Sequence, residues 1–245
     1  MAVLAHEGTH PILYGTSSLP IGAELRSGYL ARPDAAGQFP VVLVLPTIDG
    51  LTGFEKDLCR MIARWGVVAI GLDFYRTVGD PLQQYEDLSD TRALTDIDEV
   101  HEFITSRDVD WAVSGEIGVF GADVGGRFAI AAAATRPWVR AVSVAYTPLT
   151  GDEERHFQVA TYLDHLPIPV LGLYGSDDAL IDPSSVDEAQ KRNEHGLWIL
   201  YEQAGHTFLD VDAELYHEDS AEDARQRLVE FFKTHLPEAV ELNLG

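Results

Sequence analysis

The most constraining feature of this sequence is the alternation of short, wholly apolar runs with segments that carry a helical pattern. An apolar run has no polar face for water, so a strand built from it has to be covered on both sides. Strands of this kind, separated by helices, form a parallel sheet between helical layers. The predicted strands are 41–45, 67–72, 117–121, 141–146, 169–174 and 197–201, and the predicted helices are 55–65, 91–106, 124–135, 184–194 and 220–235. The first 30 or so residues predict antiparallel edge strands, and 75–90 predicts a polar loop.

Length, charge and cysteine content narrow the class of protein. A chain of 245 residues, 46% of them hydrophobic, predicts a single α/β domain over residues 1–245. The formal net charge of −23 opposes binding to nucleic acid or to anionic membranes, and no run approaches the roughly 20 apolar residues of a membrane span. We expect a cytoplasmic monomer or small homo-oligomer that binds a small-molecule substrate. The histidines lack metal-ligand spacing, so we expect neither a metal nor a cofactor. The lone Cys59 predicts a core position.

The segment Gly121–Gly126 follows a predicted strand, precedes a predicted helix and has the form small-x-Asp-x-small. This is the pattern of a nucleophile elbow, the strained turn of the α/β-hydrolase fold that lifts one side chain above the sheet. Its glycines let the backbone pass close to itself. The sequence therefore predicts an α/β-hydrolase fold with Asp123 where Ser or Cys is expected. Capping of the following helix is the alternative role for an Asp at this point.

Two further segments complete a candidate triad. Asp178 follows one predicted strand and His206 follows the last one, and active groups of parallel sheets lie at the carboxyl ends of strands. The order nucleophile, acid, histidine is that of the α/β-hydrolases. We assign Asp123, His206 and Asp178 as candidate catalytic residues, with Asp177 as the competing acid. The gap 147–168 between two predicted strands is too short for a cap domain.

Over most of its length the chain resembles the dienelactone hydrolase family, a capless branch of the α/β-hydrolases. Tyr201–Phe208 and Leu173–Asp178 are similar to that family's histidine and acid segments. Pro46–Leu51 and Gly66–Tyr75 are similar to its loop after the third strand and to the strand that follows. The resemblance implies a cofactor-free hydrolase whose triad acid is Asp178.

The chain departs from that family at two positions of the site. The family's nucleophile is usually Cys and sometimes Ser, where this chain has Asp123, and Thr47 stands where the family commonly has a Glu that engages the resting Cys. Members that open carboxylated lactones use arginines near the site, but the segment 207–212 after the histidine contains none. An anionic dienelactone is therefore not the expected substrate.

Gly121–Gly125 also resembles the Gly-x-Asp-x-Gly elbow of haloalkane and haloacetate dehalogenases and of epoxide hydrolases. A carboxylate attacks saturated carbon to give an alkyl ester, which His-activated water then cleaves. Attack on an ester substrate would instead give an unstable anhydride. Val124 stands where dehalogenases often have Trp or Arg. Epoxide hydrolases activate the ring with tyrosines of the cap. Without a cap, only loop tyrosines such as Tyr75, Tyr85 and Tyr146 are available for this role.

In this fold the oxyanion donors are the N–H after the nucleophile and one from the loop after the third strand. These positions correspond to Val124 and Ile48 in this chain. The helix N-terminus at Val124 favours negative charge and is expected to keep Asp123 ionised. The candidate pocket-lining residues are Thr47, Asp49, Tyr75, Tyr146 and Phe208.

Three functions remain open at this point. The first is a hydrolase that acts on a small electrophilic substrate (an ester, lactone, epoxide or carbon-halogen compound) through the Asp123-His206-Asp178 triad. The second is a cyclase, isomerase or dehydratase in which Asp123 and His206 transfer protons. The third is a catalytically silent, ligand-binding member, including one in which a Cys or Ser was replaced by Asp.

Overall fold

The computed structural model describes residues 8–21, 24–75, 78–150, 158–164 and 166–242. The strands are β1 (Ile12–Ile21), β2 (Glu24–Pro33), β3 (Gly37–Gln38), β4 (Val41–Leu45), β5 (Val68–Leu72), β6 (Ile117–Ala122), β7 (Val139–Ala145), β8 (Val170–Gly175), β9 (Leu197–Tyr201) and β10 (Val240–Glu241). The helices are α1 (Gly53–Arg64), α2 (Pro81–Asp87), α3 (Asp90–Ile104), α4 (Val124–Thr135), α5 (Val159–Leu163), α6 (Pro183–Arg192) and α7 (Glu218–His235).

One eight-stranded sheet runs in the order β1-β2-β5-β4-β6-β7-β8-β9. The strands β5, β4, β6, β7, β8 and β9 pair in parallel, whereas β2 is antiparallel to both β1 and β5. Every residue of β4, β5, β6 and β8 is buried, as expected for strands that are covered on both faces. The mostly parallel sheet and the antiparallel strands at its N-terminal edge are therefore confirmed, and Cys59 lies in the core.

The predicted loop 75–90 was wrong in part, because α2 lies within it. The side chain of Asp80 caps this helix by accepting the N–H of Gln83, and Pro81 occupies its first turn, where a missing N–H costs nothing. The short elements β3, β10 and α5 were not predicted, since two to five residues carry no readable period.

The connection between β7 and β8 contains α5 as its one helix within the residues described there, 146–150, 158–164 and 166–169. Residues 151–157 and 165 lie outside the described part of the chain. Among the helices described, none combines the length and the apolar character that crossing a bilayer requires.

The sheet brings the candidate site residues together at one edge. Ile48 lies three residues after β4, Asp123 directly after β6, Asp178 after β8 and His206 after β9. These strands are parallel, so their carboxyl ends meet on the same side, where α/β enzymes place their ligands.

Candidate active site

Asp123 lies at the elbow between β6 and α4, with φ 50° and ψ −126°. Positive φ is uncommon for a residue with a Cβ and marks a strained turn. The turn also needs its glycines, because an added Cβ at Gly121 would overlap the backbone of Gly125, and one at Gly125 would overlap the carbonyl oxygen of Pro46. The Asp123 side chain makes no N-cap hydrogen bond to α4. The geometry therefore does not support the capping role.

The two oxygens of the Asp123 carboxylate have different surroundings. Oδ2 accepts the backbone N–H of Ile48 at 3.0 Å, and the nearby N–H of Val124 favours the ionised form of this carboxylate. Oδ1 lies 3.8 Å from Nε2 of His206, which is longer than a hydrogen bond. One oxygen thus faces the N–H of Ile48, and the other faces the histidine. Both side chains remain 13% exposed, so a small molecule can approach them.

His206 is paired on its other nitrogen. Nδ1 lies 2.8 Å from Oδ2 of Asp178, whose side chain is fully buried. The second oxygen of Asp178 accepts the N–H groups of Leu180 and Ile181 at 2.8 and 3.2 Å, and these bonds hold the carboxylate in place. Asp177 is exposed and accepts the hydroxyl of Ser176 instead. Of the two adjacent carboxylates, Asp178 is the one that the structure brings to the histidine.

Burial raises the pKa of Asp123 above the usual value of 3.8. The N–H groups of Ile48 and Val124 and the nearby His206 oppose this rise, and Asp49 adds to it. The N-terminus of α4 was expected to keep Asp123 ionised. The N–H of Val124 does favour the charged form, but desolvation disfavours that form more strongly than the N–H groups and His206 favour it.

Because of this pKa shift, we expect the difference in stability between the wild type and a variant without the Asp123 carboxylate to depend on pH. The folded state holds the Asp123 proton more tightly than the unfolded state, so stability is lost as the pH rises through the folded pKa. We expect Asp123→Asn, which keeps an acceptor for Ile48, to raise the free energy of unfolding at neutral pH. Its advantage should shrink as the pH falls toward 3.8. Denaturant unfolding at a series of pH values measures this, and a difference independent of pH would contradict it.

The loop after β4 is held from two sides. The backbone N–H and the hydroxyl of Thr47 both donate to Oε1 of Glu55, at 3.0 and 3.1 Å. From the other side the hydroxyl of Tyr75 donates to the carbonyl of Ile48 at 2.8 Å. Thr47 and Tyr75 therefore shape the loop, and Asp49 is exposed beside it.

Glu55 was missed by the sequence interpretation. The signal was present, since Thr52 and Glu55 have the spacing of a capping box at the start of α1. What the pattern does not reveal is that Glu55 is fully buried and also reaches back to Thr47.

Tyr146 and Phe208 are fully buried, so neither side chain lies on an exposed pocket wall. The Tyr146 ring contacts His206 edge-on, with centroids 5.1 Å apart, and packs against Phe208 at 6.0 Å. These contacts limit the orientations available to the imidazole. Among the described residues, no group of three or more His, Cys, Asp or Glu side chains is placed to hold a metal ion.

Comparison with known proteins identifies the relatives of this chain. The model of the "Dienelactone hydrolase family" matches residues 27–236. A "Putative carboxymethylenebutenolidase" of Escherichia coli is 31% identical over 242 residues, with 91% of this chain and 88% of that protein covered. A protein of the same name from Yersinia pestis is 29% identical over 253 residues, with 96% and 93% covered.

A solved structure agrees with these relatives. The "Crystal Structure of Putative Dienelactone Hydrolase" from Klebsiella pneumoniae superposes with a TM-score of 0.82 at 29% identity, covering 92% of this chain and all of that one. The sheet order, the elbow and the matched family model all point to one hydrolase family with the α/β-hydrolase fold. This chain belongs to the dienelactone hydrolase family.

Proposed function

We propose that this chain is a hydrolase that acts at saturated carbon, on small and mostly neutral epoxides or carbon-halogen compounds, with Asp123 as a covalent nucleophile. One observation carries the proposal: Oδ2 of Asp123 accepts the N–H of Ile48, while Oδ1 faces His206. In ester hydrolysis the oxyanion donors serve the carbonyl oxygen of the substrate. Here they are engaged by the enzyme's own carboxylate.

That arrangement suits an alkyl-enzyme ester. In the first step Oδ1 forms a bond to the electrophilic carbon as the bond from that carbon to the halide or to the epoxide oxygen breaks. The halide leaves to solvent, whereas the epoxide oxygen takes a proton from water. The carbonyl oxygen of the resulting ester is Oδ2, which already lies at the Ile48 donor. No rearrangement of the nucleophile is needed before the second step.

In the second step His206, oriented by Asp178, takes a proton from water as the water oxygen adds to Cγ of Asp123. The negative charge of the tetrahedral intermediate develops on Oδ2 and is stabilised by the N–H groups of Ile48 and Val124. The intermediate then expels the alcohol oxygen, which receives the proton from His206. Release of the second proton of the water to solvent regenerates the carboxylate, which retains the oxygen atom from that water.

Noncovalent general-base catalysis is the second candidate, and the raised pKa of Asp123 favours it because a carboxylate of higher pKa is a stronger base. In that mechanism Asp123 and His206 move protons, as in lactone hydrolysis by activated water or in an isomerisation. The curated relatives are named for a lactone-opening activity. Attack of Asp123 on a lactone carbonyl would give an anhydride, so lactone opening by this site would use activated water.

Turnover in heavy-oxygen water separates the two candidates. We expect p-nitrostyrene oxide and 1-bromobutane to be hydrolysed, and the peptide that contains Asp123 to gain heavy oxygen after several turnovers. A His206→Gln variant should lose roughly 10²- to 10⁴-fold in turnover and accumulate a protein adduct with the mass of the alkyl group. Product formed with no label in Asp123 would leave general-base catalysis, and a chain that neither turns over nor forms an adduct would be a silent member.

A further inference from the structure

The carboxylate of Glu55 is fully buried at the start of α1, and both of its oxygens are engaged. Oε2 accepts the N–H and the hydroxyl of Thr52 at 2.7 and 2.6 Å, while Oε1 accepts the N–H and the hydroxyl of Thr47 at 3.0 and 3.1 Å. No Lys or Arg within the described ranges forms an ion pair with it. Burial of a carboxylate without a cationic partner is costly. At this site the four hydrogen-bond donors of Thr47 and Thr52 offset that cost.

Helix capping explains only half of this arrangement. In a capping box the acidic side chain returns to the N–H of the N-cap residue, which is the Thr52 bond through Oε2. The Thr47 bonds through Oε1 lie outside α1 and contribute nothing to its first turn. They connect the helix to the residue immediately before Ile48.

The consecutive peptide groups of this loop are all constrained. Thr47 donates its N–H to Glu55 and accepts the N–H of Gly50 at 3.1 Å, and Ile48 accepts the hydroxyl of Tyr75 at 2.8 Å. Gly50 has φ 82°, and an added Cβ there would press on the Tyr75 ring. The loop directs the N–H of Ile48 at the site, 3.0 Å from Oδ2 of Asp123.

We propose that Glu55 is a positioning residue that aims the N–H of Ile48 at the charge-bearing oxygen of the reaction. The kinetic part of this inference rests on the proposed function. Since an oxyanion donor works only at the right place, loosening Thr47 should slow the hydrolysis of the Asp123 ester more than its formation. The alkylated enzyme should then accumulate during turnover.

A matched pair of substitutions separates positioning from capping. Thr47→Val and Thr52→Val make the same chemical change, and each removes one hydroxyl donor to Glu55. Glu55→Met removes the acceptor for both. We expect Thr47→Val and Glu55→Met to speed amide exchange of Ile48 by about tenfold, the effect of one lost hydrogen bond. They should also lower kcat by roughly 10- to 100-fold, on the scale of a weakened oxyanion donor, and KM should fall with kcat because the alkylated enzyme accumulates. Thr52→Val should lower only the melting temperature.

Two measurements test this inference. The first is amide exchange of Ile48 followed by NMR, and the second is the steady-state fraction of alkylated Asp123 with 1-bromobutane as the probe. Equal effects of Thr47→Val and Thr52→Val on both readouts, or an Ile48 amide unchanged in Glu55→Met, would overturn the inference. Failure of the proposed function appears differently, as wild-type enzyme without heavy oxygen in Asp123. The exchange measurement still tests the positioning of Ile48 in that event, because it does not depend on turnover.

Discussion

Replacement of Asp123 by Asn is expected to lower turnover of p-nitrostyrene oxide or 1-bromobutane by about 10⁴-fold or more, the scale seen when a triad nucleophile is removed. The amide oxygen of Asn is a far weaker nucleophile than a carboxylate oxygen. It still accepts the N–H of Ile48, so the shape of the site and the binding of a neutral probe should be retained. The loss should therefore fall on kcat, with KM changed by less than about threefold.

Asp177→Asn is the matched control for this change. Asp177 lies directly beside Asp178 in the chain but is exposed and does not contact His206. We expect its substitution to leave turnover within about twofold. Steady-state kinetics of both variants measure the contrast. Asp123→Asn activity close to wild type would remove Asp123 from the mechanism, and so would an equal loss in Asp177→Asn.

The largest expected loss of stability comes from a buried ion pair beneath the elbow. Arg127, in the first turn of α4, donates from Nη2 to Oδ2 of Asp90 at 2.9 Å, and both side chains are less than 5% exposed. Asp90 is the first residue of α3, so this bond joins the two helices. Substitution of Arg127 by Met leaves the Asp90 carboxylate buried without this partner. We expect a loss of about 3–5 kcal/mol in the free energy of unfolding, or roughly 10 °C in Tm.

An exposed pair in the same chain provides the control. Arg227 and Asp223 lie one turn apart on α7 and are 44% and 46% exposed. We expect Arg227→Met to cost less than about 1 kcal/mol, as exposed pairs do. The double variant Arg127→Met, Asp90→Leu should regain much of the loss, because neither charge of this pair is then left buried without the other. Denaturant unfolding of the wild type and these three variants tests this, and equal losses in Arg127→Met and Arg227→Met would contradict it.

Much of the fold was predictable because it depends on local pattern. Runs such as 41–45 and 117–121 are apolar at every position, and only a sheet covered on both faces accommodates them. The elbow was equally readable, since Gly121 and Gly125 are needed wherever the backbone passes this close to itself. The helix α2 was missed because Asp80 and Pro81 signal a helix start within a segment that has little apolar pattern.

The candidate site, like the fold, was predictable only in part. The residue types and their order along the chain were readable from sequence, as far as Asp123, His206 and an acid at 177 or 178. Asp178 was preferred to Asp177 because of the resemblance to the family's acid segment. Its contact with the histidine could not be read from sequence, because adjacent side chains differ in direction only once β8 and its turn are built. The two unequal oxygens of Asp123 and the second role of Glu55 likewise depend on where the loop after β4 lies.

By itself, then, the sequence determined the parallel sheet and the elbow at Asp123, because both follow from short-range pattern and spacing. The family was indicated by the resemblance of several segments to known members. Only the tertiary structure decided that Asp178 meets His206, that Ile48 donates to Asp123, that Glu55 is bonded to Thr47 and that Arg127 is paired with Asp90. These contacts join residues that lie on different elements or face different ways. Their geometry is set by packing of the whole sheet and its helices, which no local stretch of sequence encodes.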